Sequence, residues 1–428
     1  VVEGFLEDLI VSGASVGINK YATNILRPVL SNSLNEKIFN YKDLEKQLLL
    51  LRDFGGVTFN ATLTKGSKLG ASILMVEIKE NPINVAIGLN NNISKVLGDY
   101  NSSVSVNYYL PFSQPFKLDV ASSYAFPHKN GLFTSLASIT TPIGNNGLKA
   151  NLFWSQSSTE SKDLLPNISG NLQSKGSSNY WSMGLTQPII LERDSKLSVS
   201  LAGTWQDSYS DLYLDNHNTS NLSADVVKAL RFGVDGYSIS TDSVNTFSFK
   251  LSQRLGDNEI SNGQFPSNPE ATGSFTTAKL DLSRIQKLFK SNTTMTLKAS
   301  GQLSSDALPS SEAFSYGGPV YGRAFSSTYI LGDEGWSSSV EIAHKFDAKL
   351  FNKYLSITPF AWVDYGSTSY KKGDLSSNNA STSGLGLRGD VSTFSFEVGL
   401  AVPSSNSLDS DHVGLDNSFV YFNSGWRF

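Results

Sequence analysis

The chain has 428 residues, no cysteine and a formal net charge of −4 at neutral pH. That balance, with no strongly basic run, weighs against a nucleic-acid partner, and the missing thiols exclude disulfides, thiolate nucleophiles and sulfur-ligated zinc. No stretch reaches the ~18 apolar residues of a membrane helix. A membrane location would therefore require a closed barrel, whose wet inner face is compatible with the mean hydropathy of −0.17.

The chain opens Val1-Val2-Glu3, without an initiator Met or an apolar leader, as expected of a processed or truncated start. Residues 1–80 read strand, helix, helix, strand, strand. Phe5 to Val11 is the first strand, and Tyr21 to Leu30 a short helix weakened by Pro28. Asn40 is placed to cap the next helix, Asp43 sits in its first turn, and Leu44, Leu48 and Leu51 form one stripe until Gly55-Gly56. Val57, Phe59, Ala61 and Leu63 alternate, as do Leu74, Val76 and Ile78 beyond the Lys65-Gly66 turn, and Asn81-Pro82 ends the unit. Two helices on a small sheet make an α+β domain.

From Ile83 the helical period gives way to alternation. Ile83, Val85, Ile87 and Leu89 take turns with Asn84, Ala86 and Gly88, and about sixteen such segments follow, each near the ~10 residues of a tilted spanning strand. The links also alternate. Pro111 to Pro115, Gly144 to Gly147, Glu192 to Ser195, Thr241 to Val244 and Gly389 to Ser392 are short. Ser157 to Ser178, Ser208 to Ser223, Gly256 to Gly273, Asp306 to Gly335, Ser367 to Ser383 and Pro403 to Asp416 are long. In an up-and-down sheet every second link lies on one side, so long loops project one way and short turns the other, as in outer-membrane barrels. The last residues place Phe422, Trp426 and Phe428 on one face, which suits an interfacial aromatic girdle. A soluble sandwich or propeller is the competing architecture.

Little points to catalysis. His128, His217 and His412 fall in expected outer loops and His344 near a strand end, none with ligand-like spacing. Asp409, Asp411 and His412 are the only local cluster, most simply a solvated loop, and Gly317-Gly318-Pro319 lacks the Gly-Lys pair of a phosphate loop. The loop 306–335 is unusual. Phe314, Tyr316, Tyr321 and Phe325 stand among Gly317, Gly318 and Gly322, a composition suited to packing inside the barrel rather than to free solvation. Arg323 would then need a carboxylate. On the strand from Tyr354 to Tyr365, Leu355, Ile357, Ala361 and Val363 face one way, and Phe360, Trp362 and Asp364 the other, towards the lumen.

These residues resemble the outer-membrane translocators of two-partner secretion, the type Vb pore components related to the barrel-assembly insertases. The run Leu44 to Val57 is similar to the helix and turn of a polypeptide-transport-associated (POTRA) domain, with Gly55 where proline is common. Val1 to Gly4 looks like the last strand of a missing first POTRA domain. Gly322-Arg323-Ala324-Phe325 matches the tip of the family's inward-folded loop, with Ala324 and Phe325 as departures from Gly and Tyr. Phe360 to Gly366 matches the aromatic-Asp-x-Gly strand motif.

The resemblance implies an all-β barrel of about sixteen antiparallel strands over residues 81–428, carrying a POTRA domain over 1–80 that is the second of two. It implies a nucleotide-independent, non-enzymatic pore with no cofactor. Its partners would be a secreted β-rich exoprotein (adhesin, haemolysin, toxin or haem-scavenging protein), the lipid bilayer and periplasmic chaperones, and no nucleic acid; the pore itself would be a monomer. The POTRA domain would lie in the periplasm and the long loops at the surface of a bacterial outer membrane. Asp364, Phe360 and Gly366 would receive the loop tip, and Leu44, Leu48, Val57 and Phe59 would dock cargo. The rival functions are an insertase that assembles outer-membrane barrels and a passive porin.

Overall fold

The computed structural model describes residues 4–36, 39–112, 115–127, 131–161, 172–214, 217–256, 265–271, 273–289, 292–350, 353–373, 377–406 and 418–428. Its N-terminal part is a three-stranded sheet, β1 (Phe5–Ser12), β2 (Val57–Lys65) and β3 (Ala71–Glu80), with helices α1 (Val16–Glu36) and α2 (Tyr41–Phe54). β3 is central, parallel to β1 and antiparallel to β2, so β2 is an edge.

α1 is far longer than the short helix expected from Tyr21 to Leu30. Pro28 lies inside it and costs ~3 kcal/mol by removing a hydrogen bond and crowding the preceding turn. The stripe Ile18, Tyr21, Ala22, Ile25, Leu26 and Val29 is buried against the sheet. Each large apolar side chain contributes ~1.5–3 kcal/mol, so the stripe outweighs the proline several times. Asn40 caps α2 by accepting the Lys42 N–H at 3.0 Å, and Gly55 ends the helix. Leu44 is buried, and Leu48, Val57 and Phe59 pack on the same core. The side chain of Leu44 is thereby withdrawn from any docking surface, because it is buried in the domain's own core, whereas Leu48, Val57 and Phe59 stay partly exposed.

The remainder closes into an antiparallel barrel running from Ile83–Asn90 round to Phe419–Arg427. Glu334–His344 and Phe346–Leu350 pair with one neighbour as a single strand broken at Lys345, which gives sixteen staves among the described residues. Outward residues such as Leu201, Leu280, Val363 and Leu385 are exposed, whereas inward Ser252, Thr277, Ser300, Gln302 and Thr382 are buried. The closing ladder joins Ala86–Asn90 to Asn423–Arg427, and the terminal Phe428 extends it by exchanging two backbone hydrogen bonds with Val85, at 3.1 and 2.8 Å.

Two expected loops are largely strand. Ser195–Leu214 and His217–Ile239 pair up to Leu214–His217, so Ser208 to Ser223 is a continuing hairpin and His217 lies on a strand. Leu148–Ser161 and Leu172–Leu191 likewise pair to Ser161–Ser174 within the stretch read as Ser157 to Ser178. A hairpin projecting beyond the bilayer has water on both faces, so nothing selects alternation there. His128, Asp409, Asp411, His412 and Val1 to Glu3 lie outside the described residues.

The small domain sits on the short-turn end. Asp53, at the end of α2, receives Lys149 Nζ at 2.6 Å on its carboxylate and at 2.8 Å on its backbone oxygen, and Lys196 Nζ on its other carboxylate oxygen. Phe54 meets Tyr109 edge-on at 6.0 Å. Burial opposes ionisation of Asp53, but the two lysines outweigh it and hold the carboxyl below the usual aspartate range. A folded value below the unfolded one (~3.9) means that the contact stabilises docking above that range and fades as pH falls through the lower folded value. Distances between spin labels on α2 and the barrel should therefore hold steady from neutrality to about pH 5 and broaden only in stronger acid. Asp53→Asn should broaden them at every pH; unchanged distances in that variant would show that the apolar contacts suffice.

Candidate functional site: a loop anchored in the lumen

The link between Thr293–Ser304 and Glu334–His344 turns into the barrel. Inside it Phe314–Tyr316 pairs with Ile330–Gly332, a short ladder that stiffens the loop. Below the ladder Gly322 holds φ at +80°, which lets the chain reverse; Phe325 N–H closes that turn on Gly322 O at 2.8 Å. The tight turn thus forms with Ala324 where the family has glycine, because the positive φ falls on Gly322. Ala324 packs against the cluster of Ala343, Phe360, Trp362, Ala401 and Tyr421. Phe325 stacks on Tyr329, with ring centroids 4.1 Å apart.

Arg323 and Asp364 are brought together, but their roles are divided. Asp364, fully buried, accepts the backbone N–H groups of Gly322 at 3.0 Å and Arg323 at 3.4 Å through Oδ2. The same oxygen lies 3.5 Å from Arg323 Nε, close enough for charge attraction but long for a hydrogen bond. The short bond of Arg323 runs from Nη1 to Glu341 Oε2, 2.8 Å, while Nη2 donates to Ser339 at 3.3 Å. Its guanidinium lies 4.3 Å from the Trp362 ring centre, so the aromatic beneath it is Trp362 rather than Phe360.

Phe360 carries a second arginine, Arg388, at 3.9 Å. Arg388 grips Glu341 with two donors at 2.5 and 3.0 Å and gives a third to Glu397 at 2.6 Å. Glu341 is thus shared by two arginines. The sequence reading did not single out Glu341, Arg388 or Glu397. The signal was present for Glu341, an acid on the inward phase of Ser337, Ser339 and Ala343, but nothing local marked which wall the loop would touch.

Gly366 admits the loop by what it lacks. A methyl group there would fall 2.1 Å from the Tyr316 ring. Further up, Glu312 takes two donors of Arg231 at 2.5 and 3.1 Å, and Asp333 accepts the N–H groups of Leu308 and Lys371, each at 2.8 Å. The loop is therefore held at its tip, flank and base. Among the described residues no cluster of His, Asp or Glu could hold a metal ion. Because the chain lacks cysteine, a single introduced thiol reports its own site. Ala324→Cys on intact cells should react far more slowly with a polar maleimide than Glu270→Cys on an exposed outer segment, and equal rates would place the tip outside.

Comparison with known proteins gives one consistent picture. The haemolysin secretion/activation protein family ShlB/FhaC/HecB matches residues 70–389. A heme/hemopexin transporter protein, HuxB of Haemophilus influenzae, is 25% identical over 434 residues, spanning 96% of this chain and 72% of that protein. CdiB from Escherichia coli superposes with a TM-score of 0.81 at 18% identity, over 100% of this chain and 77% of the other. CdiB from Acinetobacter baumannii gives 0.74 at 17%, over 100% and 74%. BamA from Haemophilus ducreyi lacking POTRA domains 1–3 gives 0.57 at 11%, over 99% and 85%. At these identities the superpositions show the fold alone, that of a barrel with an N-terminal α+β region.

Proposed function

We propose a working cycle for the protein on the premise that this chain belongs to the haemolysin secretion/activation protein family ShlB/FhaC/HecB and is an outer-membrane translocator of two-partner secretion. Its partner is a secreted exoprotein. In the proposed cycle residues 1–80 form a POTRA domain in the periplasm that meets the unfolded partner, and the long loops face outward.

The free edge of β2 supports that reading. An extended chain can add to an open edge by backbone hydrogen bonds. A hollow of about 730 Å³ lies across β2 and β3 just past the end of β1, lined by Gly13, Ser15, Phe59, Asn60, Glu77 and Lys79 among others, on the face next to that edge strand. The buried side chain of Leu44 belongs to the core and takes no part, whereas Leu48 is only partly buried.

The observation that carries the proposal is the loop tip, held by separable ionic contacts rather than by continuous strand pairing. Such a plug has two positions, in the lumen and out of it, and cargo needs the second. Folding of the exported chain outside would draw the equilibrium outward without nucleotide. In this reading the exoprotein is β-rich, and the similarity to HuxB favours one that engages haem or haemopexin. The insertase alternative differs in where the partner ends, in the membrane rather than outside the cell.

The test is a chain beginning at Ile83, coexpressed with the partner exoprotein. It should insert and keep heat-modifiable mobility, because the closed ladder lies entirely after that residue. It should secrete nothing. Normal secretion would mean that docking resides in the barrel.

A further inference from the structure

The outer wall of the barrel carries a hollow of about 740 Å³ near its long-loop end. That volume falls within the ~300–1,000 Å³ typical of small-ligand sites. Strand register shows how it arises. One outward row runs Phe249, Leu280, Gly301, Trp336, Ser367, and the next runs Leu282, Ala299, Ser338, Tyr365. Bulky side chains stand on either side of Ala299 and Gly301. Trp336, half exposed and 5.0 Å from Tyr365, makes one wall; Leu280 and Leu282 make the other, and Leu303, 66% exposed, closes the top.

The gap is not required by the fold. A methyl group at Gly301 would meet nothing nearer than Gly335 O at 3.7 Å, and the backbone there is ordinary extended strand. Elsewhere, as at Gly366, glycine prevents a collision. At the mouth, Glu334 lines the hollow and Lys371 Nζ lies 2.9 Å from it with 36% of its side chain exposed. A lysine–glutamate ion pair thus stands where an apolar trough opens to water.

We propose that this hollow binds one hydrocarbon chain of a phosphate-bearing membrane lipid, with the phosphate at Lys371. The face lies on the outward apolar belt of an outer-membrane barrel, so lipid is what it meets first. A chain lying in the trough exchanges contact with neighbouring lipid tails for contact with Trp336, Leu280 and Leu303 on three sides. The phosphate competes with Glu334 for the ammonium group and fixes the depth of the chain. The site stands apart from the lumen and from cargo.

The experiment uses the full chain in detergent, titrated with dipalmitoylphosphatidylglycerol and followed by native mass spectrometry. One lipid should be retained per chain. Gly301→Leu, which fills the trough, should lower that retention by about tenfold or more, because the chain loses its many packing contacts with the trough walls. Gly203→Leu is the control, since Gly203 also faces outward with nothing within 4 Å of an added methyl, between exposed Leu201 and Trp205. It should retain lipid as the parent does. A galactolipid with the same chains and no phosphate should bind less tightly than the phospholipid. Equal retention by the Gly301→Leu variant and the parent would overturn the site, and equal binding of the galactolipid would overturn the phosphate at Lys371. A dimer that Gly301→Leu converts to monomer would assign the trough to a second copy instead. No cargo is present, so any of these outcomes leaves the secretion reading untouched.

Discussion

Arg323→Ala is expected to leave the barrel folded in the outer membrane and to lower secretion of the exoprotein by about tenfold or more. The barrel survives because its ladder of strands owes nothing to the loop tip. The loop does not. Removing one member of a buried charge group costs ~3–5 kcal/mol, since the partners left behind have lost their compensation. Here Asp364, fully buried, keeps the Ser339 hydroxyl and backbone donors that depend on the same turn, and Glu341 keeps Arg388. The anchored state should therefore lose most of its advantage over the released state, and a plug without a defined resting position cannot be reset by each substrate. Asp364→Ala should give a similar loss, and the two should not multiply, because each undoes one turn. Glu341→Gln should fall between the parent and these variants, retaining volume and one acceptor. The measurement is secreted partner in the medium against heat-modifiable barrel in the membrane. Independent multiplication of the Arg323→Ala and Asp364→Ala defects would overturn the shared anchor, and a barrel that fails to assemble would show that the loop is part of folding.

A comparable loss should come from an addition. Gly366→Ala places a methyl group 2.1 Å from the Tyr316 ring, a collision that neither can evade cheaply: the glycine sits mid-strand and the tyrosine is fully buried. Overpacking of this kind costs ~1–3 kcal/mol, and the loop is the softer party. Gly366→Val should exclude it altogether. Both variants are expected to assemble, to expose the loop to external protease and to conduct ions more freely. The second change Tyr316→Ala should restore part of the protection by making room. If Gly366→Val leaves protease resistance and secretion as they were, Tyr316 does not rest on Gly366 and the described docking is wrong.

Much of the architecture was legible because it repeats. One greasy and one wet face per strand, sixteen times over, is a pattern that water and lipid impose residue by residue, and Ile83, Val104, Leu280 and Val363 all carry it. The sidedness of the links followed from counting, and the inward phase of Asp364 from alternation alone. Cap and stop signals around Tyr41–Phe54 are local and were read correctly. Where sequence reading fell short, the competing force was non-local. Pro28 argued against a long helix, and burial of six apolar residues against the sheet overruled it. Polar hairpins above the bilayer carry no alternation, so His217 was read as loop although it continues a strand. Leu44 was read as a contact surface, but an apolar stripe does not state whether its partner is the domain's own sheet or another chain.

The sequence by itself marks the barrel through its period of two and the inward loop through its composition; Arg323 and Asp364 stand out through the resemblance to the translocator family, with alternation turning Asp364 inward. Only the tertiary structure decided which carboxylate receives the guanidinium. Glu341, Arg388 and Glu397 lie on three different strands, and their meeting depends on register and on how deep the loop descends. Strand register is set by the sum of many ladder hydrogen bonds and side-chain fits, none of which is marked at the residue whose partner it chooses.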